Sequence, residues 1–276
     1  MQTKHLIITR FNVASPGREA AIRLKRGWLD ERFKLFEEIC LPSVAAQTEK
    51  NFKWVVFFDV DTPVDYRERI DKLVVLFPFH PVFTDSFDMR KLGPDIVKNY
   101  GPADFLLTSR LDSDDILAAN YVEILQKIAS DLNGRNVINF DNGAILLLNK
   151  NKPALYEYHD DSNPFSSLIE SFGTDSKTIW GVQHTDIHEL GDVVHVQGKP
   201  MWLQVVHGGN VSNRVRGRRV PIGKYRSDFN YTDEVSVGVN ESVLELLYDK
   251  YVCGAIRRVR EYIRSIVKFF YKLIFK

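Results

Sequence analysis

A chain of 276 residues with 44% hydrophobic and 26% charged residues has the composition of an ordinary folded protein, long enough to bury a substantial core. Its net charge of +1 gives no global reason to expect nucleic acid as a partner. Cys40 and Cys253 stand far apart without metal-ligand spacing, which argues against a disulfide scaffold and suits a reducing compartment.

The opening residues MQTKHLIITRFNV lack the apolar run and small-residue cleavage site of a signal peptide. No uncharged apolar stretch reaches the roughly 18 residues a membrane-spanning helix needs. HLIITRFNV, rich in β-branched residues, predicts a first strand. WLDERFKLFEEIC spaces Trp28, Phe33, Phe36 and Ile39 along one helical face, and Pro42 interrupts it. FKWVVFFDVDTP is a near-continuous apolar run ending in acids, as a buried parallel strand would be. DYRERIDKLVVL is helical in pattern, HPVFT predicts a third strand, DIVKNYG a short helix and ADFLLTSRLD a fourth strand. From Asp115 to about Ser130, apolar residues recur at helical spacing.

The second half changes character. INFDNGAILLLNKN predicts a hairpin turning at Asp141-Asn142-Gly143, and YHDDSNPFSSLIE a loop followed by a helix. VVHVQGKPMWLQVVHGGNVSN holds two further strands, and RVRGRRVPIGKYR is a basic loop. The βαβαβαβ order predicts an α/β fold with a single, mainly parallel mixed sheet flanked by helices. One domain is expected over residues 1–243, with a parallel nucleotide-binding half (1–130) followed by a mixed half (131–243). Residues 244–276 form a helical tail.

That tail, from Gly254 onward, carries seven basic residues against the single acid Glu261. Arg260, Arg264, Lys268 and Lys272 form one stripe, and Ile256, Val259, Ile263, Ile266, Val267, Phe270 and Ile274 the complementary face. Such a basic amphipathic helix suits the headgroup region of an anionic membrane surface. Docking on the domain core, or pairing in a coiled coil, is the alternative.

Open parallel sheets bind ligands beyond the carboxyl ends of their strands. Three such ends carry polar groups: Thr9-Arg10, Asp59 with Asp61, and Arg110 through Asp115. The D-x-D pair Asp112 and Asp114 suits a hard divalent cation shared with substrate phosphates. Asp115 is assigned to capping the following helix. Arg110 either contacts a phosphate or pairs with a neighbouring aspartate.

QTEKNFKWVVFFDVDTP and KNYGPADFLLTSRLDSDDIL resemble segments of glycosyltransferase family 2, the second leading into that family's D-x-D. NPFSSLIE and MWLQVVHGGNVSNR are similar to bacterial rhamnosyltransferase-type proteins. The resemblance implies a GT-A fold, a nucleotide-diphosphate-sugar donor, Mn²⁺ or Mg²⁺ on the diphosphate, and a saccharide or lipid-linked acceptor. By this resemblance Thr9 and Arg10 line the nucleotide pocket, and Asp59 or Asp61 meets the base or ribose. Asp112 approaches the ribose, Asp114 ligates the metal, and His207 is a further ligand unless it is simply a strand-end histidine. Asp186 is the best match for the catalytic base, ahead of Glu189, Glu170 and the Asp160-Asp161 pair. His184 and His195 are read as structural or acceptor-facing, and the arginines at 214, 216, 218 and 219 either as a lid over the diphosphate or as a solvated or lipid-facing basic loop. The competing readings are a sugar nucleotidyltransferase and a non-catalytic saccharide-binding protein.

Overall fold

The computed structural model describes residues 2–14, 22–23, 25–88, 99–100, 102–148, 153–173, 175–208, 213–230 and 241–274. Strands β1 (Thr3–Arg10), β2 (Lys53–Asp59), β3 (His80–Thr84) and β4 (Phe105–Arg110) alternate with helices α1 (Trp28–Leu35), α2 (Leu41–Ala45) and α3 (Val64–Leu76). A π turn, Phe36–Cys40, joins α1 to α2. The chain continues through β5 (Ile116–Leu117), α4 (Tyr121–Ser130), β6 (Asn136–Phe140), β7 (Asn142–Leu147), β8 (Ala154–His159) and β9 (Ser167–Ser171). Two short 3-10 turns, Ile179–Gly181 and His184–Glu189, precede β10 (Asp192–Val196), β11 (Trp202–Val206) and β12 (Arg218–Val220). Helices α5 (Val243–Tyr248) and α6 (Gly254–Ile274) follow, joined by a π turn at Asp249–Cys253.

The main sheet has the order β10-β6-β9-β4-β1-β2-β3. All its neighbours run parallel except β9, which lies antiparallel between β4 and β6. Pleating sorts the apolar runs onto two faces. Ile7, Val56 and Phe58 meet Phe33, Phe36, Ile70 and Leu125 from the helices, while Leu6, Ile8, Val55 and Phe57 pack on the opposite side with Tyr100. Phe11 anchors the helical face, its ring centroid 4.7 Å from Phe33 and 4.9 Å from Phe58.

Several expectations are revised. Residues 136–147 do not form a hairpin: β6 belongs to the main sheet, and β7 to a second sheet of order β12-β8-β7-β11-β5. Asp141 is the junction where the chain changes sheets, and β7 makes its antiparallel pair with β8 instead. Gly143 serves close approach rather than a turn, since a Cβ there would lie 2.1 Å from Trp202 Cδ2. The second half therefore completes the main sheet and also builds another.

The segment SSLIE is a strand rather than a helix. Leu168 and Ile169 fill opposite faces of the main sheet, and Ser167 Oγ sits 2.7 Å from Ser109 Oγ. The helix expected from Asp115 starts at Tyr121, because Ile116 and Leu117 pair with Leu203 and Trp202 in the second sheet. Gln47 Oε1 accepts the Val122 N–H at 3.0 Å, so a residue from the α2 end satisfies that helix start. Of the short helix expected at 95–101, only Asn99 and Tyr100 lie among the described residues, and both are helical. No helix among the described residues is long and apolar enough to cross a membrane.

Candidate active site

β1, β2, β4, β6 and β10 are mutually parallel, so their carboxyl ends share one edge of the main sheet. β9 runs the other way and brings its preceding loop, with Asp160, Asn163 and Ser166, to the same edge. The expected polar groups are therefore neighbours along one rim. An open groove of about 960 Å³ lined by Phe52, Trp54, Phe79 and Tyr100 lies at the opposite edge, around the starts of β2 and β3. Its apolar lining and position separate it from the chemistry-bearing residues.

The D-x-D turn follows β4. Leu111 N–H donates to the Ile8 carbonyl at 3.2 Å, and Asp115 N–H to the Asp112 carbonyl at 3.2 Å, which closes the turn. Asp114 Oδ2 lies 3.0 Å from His207 Nε2, joining residues 93 positions apart. The second sheet makes this contact: β5 pairs with the start of β11, and His207 follows the end of β11. Burial would raise the Asp114 carboxyl, but the His207 hydrogen bond and the charge of Arg32 outweigh it and hold it below its ordinary value.

Asp115 is fully buried rather than capping a helix. Its Oδ1 accepts the Val205 N–H at 2.7 Å, and its Oδ2 finds no partner among the described residues. Burial, with the charges of Asp114 and Asp112 behind it, pushes its carboxyl well above the ordinary range. That burial favours its protonated form, and the Val205 contact bolts β11 beneath the turn. The three adjacent carboxylates become one buried acid, one partnered by imidazole, and Asp112, which is half-buried at the rim. Beneath the turn, the buried Cys40 thiol lies 3.6 Å from the Asp112 carbonyl, and burial first, then the three aspartates, raises it far above its usual range.

Thr9 departs from expectation. It is fully buried, with its hydroxyl accepting the Trp54 indole N–H at 2.9 Å, because alternation along β1 turns it to the helical face. Its side chain therefore serves the core. Arg10, on the other face, lies over the Phe87 ring at 5.9 Å.

In the β2 pair, Asp59 is buried and ion-paired with Arg23 Nη2 at 2.9 Å, while its Oδ1 receives the Asp61 N–H at 2.8 Å. Asn12 ties this turn to β1, its Oδ1 accepting the Asp59 N–H at 3.0 Å. Asp61 is exposed at the rim.

Arg110 makes no ion pair among the described residues. Its guanidinium stacks 3.8 Å from the Trp180 ring centroid, and its Nε is buried without a partner among them. Burial lowers its proton affinity, and nearby Asp112 works against that. The Trp180 platform depends on a strained backbone: Thr178 has φ 59° and ψ 161°, a region a β-branched residue rarely adopts. Glu170 Oε1 holds that turn by accepting the N–H groups of Lys177 at 2.9 Å and Thr178 at 3.0 Å. Thr108 Oγ1 takes the Ile179 N–H at 2.9 Å, and Trp180 Nε1 donates to the Ile8 carbonyl at 3.0 Å. Glu170, buried and 3.1 Å from Arg135 Nη2, is thus a structural carboxylate and is withdrawn from the base candidates.

The remaining acids face the other end of the rim. Asp186 is half-buried in an irregular turn, with Thr185 Oγ1 donating to its Oδ2 at 3.2 Å. Asp160 lies 3.9 Å from Arg216 Nη1, and its Oδ1 accepts the Ser162 N–H at 3.1 Å. Burial, and then the charge of Arg110, lowers the His184 pKa. His195 Nδ1 lies 2.9 Å from the buried Asp141 Oδ1, a pairing sequence reasoning missed because Asp141 resembled a turn residue. The basic segment 214–219 is committed elsewhere than to an open lid. Arg214 pairs with Glu261, Arg219 with Glu241, and Arg216 hydrogen-bonds the Tyr158 hydroxyl.

Asp112, Asp114 and His207 offer oxygen and imidazole donors on one rim. Among the described residues, no group of three histidine, cysteine or acidic side chains is already gathered around one point. A cation that brings phosphate oxygens as further ligands fits this partial set.

The polar groups thus gather on the carboxyl edge of a mainly parallel α/β sheet, the edge at which open sheets bind ligands. The chain belongs to the family described as "Putative rhamnosyl transferase", which matches residues 4–219. No curated protein matches it. Among solved structures it is similar to Staphylococcus aureus TarS residues 1–349, at 12% identity and TM-score 0.42, over 73% of this chain and 60% of that one. The complex of that TarS fragment with UDP gives the same identity and TM-score over 75% and 61%. A structure described as "putative nucleotide-diphospho-sugar transferase" from Desulfovibrio desulfuricans G20 is 14% identical, with TM-score 0.38 over 72% and 81%. The 4-diphosphocytidyl-2C-methyl-D-erythritol synthase of Anaerococcus prevotii is 13% identical, with TM-score 0.38 over 70% and 87%. The chain thus spans about three fifths of the TarS fragment.

Proposed function

We propose that the protein transfers a sugar, rhamnose by its family, from a nucleotide-diphosphate donor to a saccharide or lipid-linked acceptor, working peripherally at the inner face of the cytoplasmic membrane. The observation that carries this reading is the Asp114–His207 contact at 3.0 Å beside Asp112, at the ligand edge of the sheet. Asp114 and His207 would hold Mn²⁺ or Mg²⁺, with Asp112 toward the ribose. When bound, such a cation supplies Lewis-acid stabilisation of the diphosphate leaving group.

The chain's own residues do the remaining work. Arg110, rigid on Trp180, offers charge-assisted hydrogen bonds to a phosphate oxygen. Arg10 and exposed Asp61 flank the nucleotide end of the rim, with Asp59 bracing the turn beneath. A base must take the acceptor hydroxyl proton as the sugar moves. Asp186 is assigned that role, with Asp160 as its rival at the same end of the rim. Asp115, fully buried and accepting the Val205 N–H, positions β11 instead.

The test is hydrolysis of UDP-, GDP- and dTDP-sugars with Mn²⁺ or Mg²⁺, with chelator controls. Metal-dependent release of the nucleoside diphosphate by the wild type, lost in Asp114→Ala while the fold persists, is the expected result. Full activity in that variant would remove the metal role. Release of pyrophosphate from a sugar phosphate and a nucleoside triphosphate would instead establish the nucleotidyltransferase reading.

A further inference from the structure

Helix α6 is attached to the domain by its polar side. Gly254 is buried, the Arg257 guanidinium lies 4.8 Å over the Tyr156 ring centroid, and Glu261 accepts two hydrogen bonds from Arg214, at 2.8 and 2.5 Å. These positions, three and four residues apart, occupy one face of a 3.6-residue helix. The opposite face carries Ile256, Val259, Ile263, Ile266 and Val267, which are 50%, 57%, 54%, 37% and 61% exposed. An ordinary surface helix does the reverse, burying its apolar stripe and wetting its charges. Core docking of the tail is therefore not what the structure shows.

We propose that α6 lies in the surface plane of an anionic bilayer, with its apolar stripe in the acyl boundary and the catalytic domain held above it on the polar face. An apolar stripe turned outward needs an apolar medium, and the charges identify which one. The segment from Gly254 carries seven basic residues against one acid, with Arg258, Arg260 and Arg264 exposed beside the stripe. A second copy packed on the same stripe would bring two strongly basic helices together, whereas anionic headgroups complement both features at once.

The domain's attitude is fixed as well. Arg214 follows His207 by seven residues, a span of at most about 25 Å of extended chain. The backbone at Arg214, which tethers the polar face of α6, therefore lies within that reach of His207. The inference does not depend on the transferase reading, because vesicle binding is measured without donor or acceptor.

The full-length protein is floated with vesicles of phosphatidylcholine alone and of phosphatidylcholine with phosphatidylglycerol. Binding at least tenfold tighter to the anionic vesicles, weakened by salt, is expected. Ile263→Asp/Val267→Asp should lose it by tenfold or more with an unchanged thermal unfolding profile, since both side chains are exposed. An environment-sensitive fluorophore on single cysteines in a Cys253→Ser background reads the orientation. Labels at 259 and 263 should shift to the blue with anionic vesicles, and a label at 258 should shift less. Equal binding by the double variant, indifference to phosphatidylglycerol, or equal shifts at all three positions would overturn the proposal. So would a solution dimer that the double variant dissociates, which would identify a second copy as the occupant.

Discussion

Replacing Gly143 by alanine tests how the two sheets are held together. The new Cβ would sit 2.1 Å from Trp202 Cδ2 and 2.2 Å from Cε2, against roughly 3.4 Å for ordinary contact, so one partner must move by more than an ångström. The indole cannot yield freely. It is fully buried, stacked on Phe165 with centroids 4.9 Å apart and planes 10° apart, and its Nε1 donates to the Phe140 carbonyl at 2.7 Å. Overpacking of about 1–3 kcal/mol, with about 1–3 kcal/mol if the indole bond is lost, gives a destabilisation of about 2–6 kcal/mol. That is a large share of the roughly 5–15 kcal/mol typical of a folded domain. Urea unfolding followed by circular dichroism measures it. Because Trp202 opens β11 and His207 follows its end, Mn²⁺-dependent nucleotide affinity should fall in parallel. If the clash is the cause, Gly143→Ala should cost less than about 1 kcal/mol in a Trp202→Ala background, a coupling that a double-mutant cycle isolates. A Gly143→Ala protein within about 0.5 kcal/mol of wild type, the usual range of neutral surface changes, would refute the close-approach argument.

Other expectations follow from single contacts. His5 is buried, its pKa lowered to about 3 by that burial, with Ser109 Oγ 2.8 Å from Nε2 and Gln126 Nε2 3.1 Å from Nδ1. The unfolded chain takes up a proton near pH 6.5 that the folded one refuses, so stability is lost on acidification, by up to about 1.4 kcal/mol per pH unit across that window. The urea stability gap between wild type and His5→Gln should accordingly narrow between pH 7 and 5.5, and a constant gap would count against a neutral His5. Glu170→Ala should cost about 3–5 kcal/mol by leaving Arg135 and two N–H groups unmet. Glu170→Gln, once folded, should retain donor hydrolysis, and its loss would return Glu170 to a chemical role. Trp180→Ala should weaken binding of whichever nucleoside diphosphate the donor screen selects by about tenfold, since cation–π stacking on a desolvated ring is worth about 1–2 kcal/mol; calorimetric titration with an unchanged affinity would remove the platform role of Trp180.

The parallel half was legible because its strands are unbroken apolar runs, such as KWVVFFD, bounded by helical periodicity. The contact between Asp114 and His207 could be anticipated only as two separate motifs, since the β5–β11 ladder that unites them is two residues long and leaves no periodic trace. Asp-Asn-Gly resembled a hairpin turn because local chemistry cannot reveal that its glycine makes room for an indole 59 residues away. Thr9 illustrates a finer limit: polarity at a strand end marked it for the site, but the pleat decided which face it joined. Asp115 was misassigned for a similar reason. Its buried partner, the Val205 N–H, arrives 90 residues later in the chain.

That separation orders events in time. Closing a loop of about 90 residues costs on the order of 4 kcal/mol of chain entropy before any contact rewards it. The β1–β2 and β2–β3 pairs close over only 47 and 25 residues (Leu6 to Lys53, Val55 to His80), so the donor site is expected to come into being among the last parts of the molecule. A ligand bridging Asp114 and His207 would then favour only the finished arrangement. Added to a refolding reaction, it would act chiefly by slowing the departure of β11, lengthening the lifetime of the native state more than hastening its arrival.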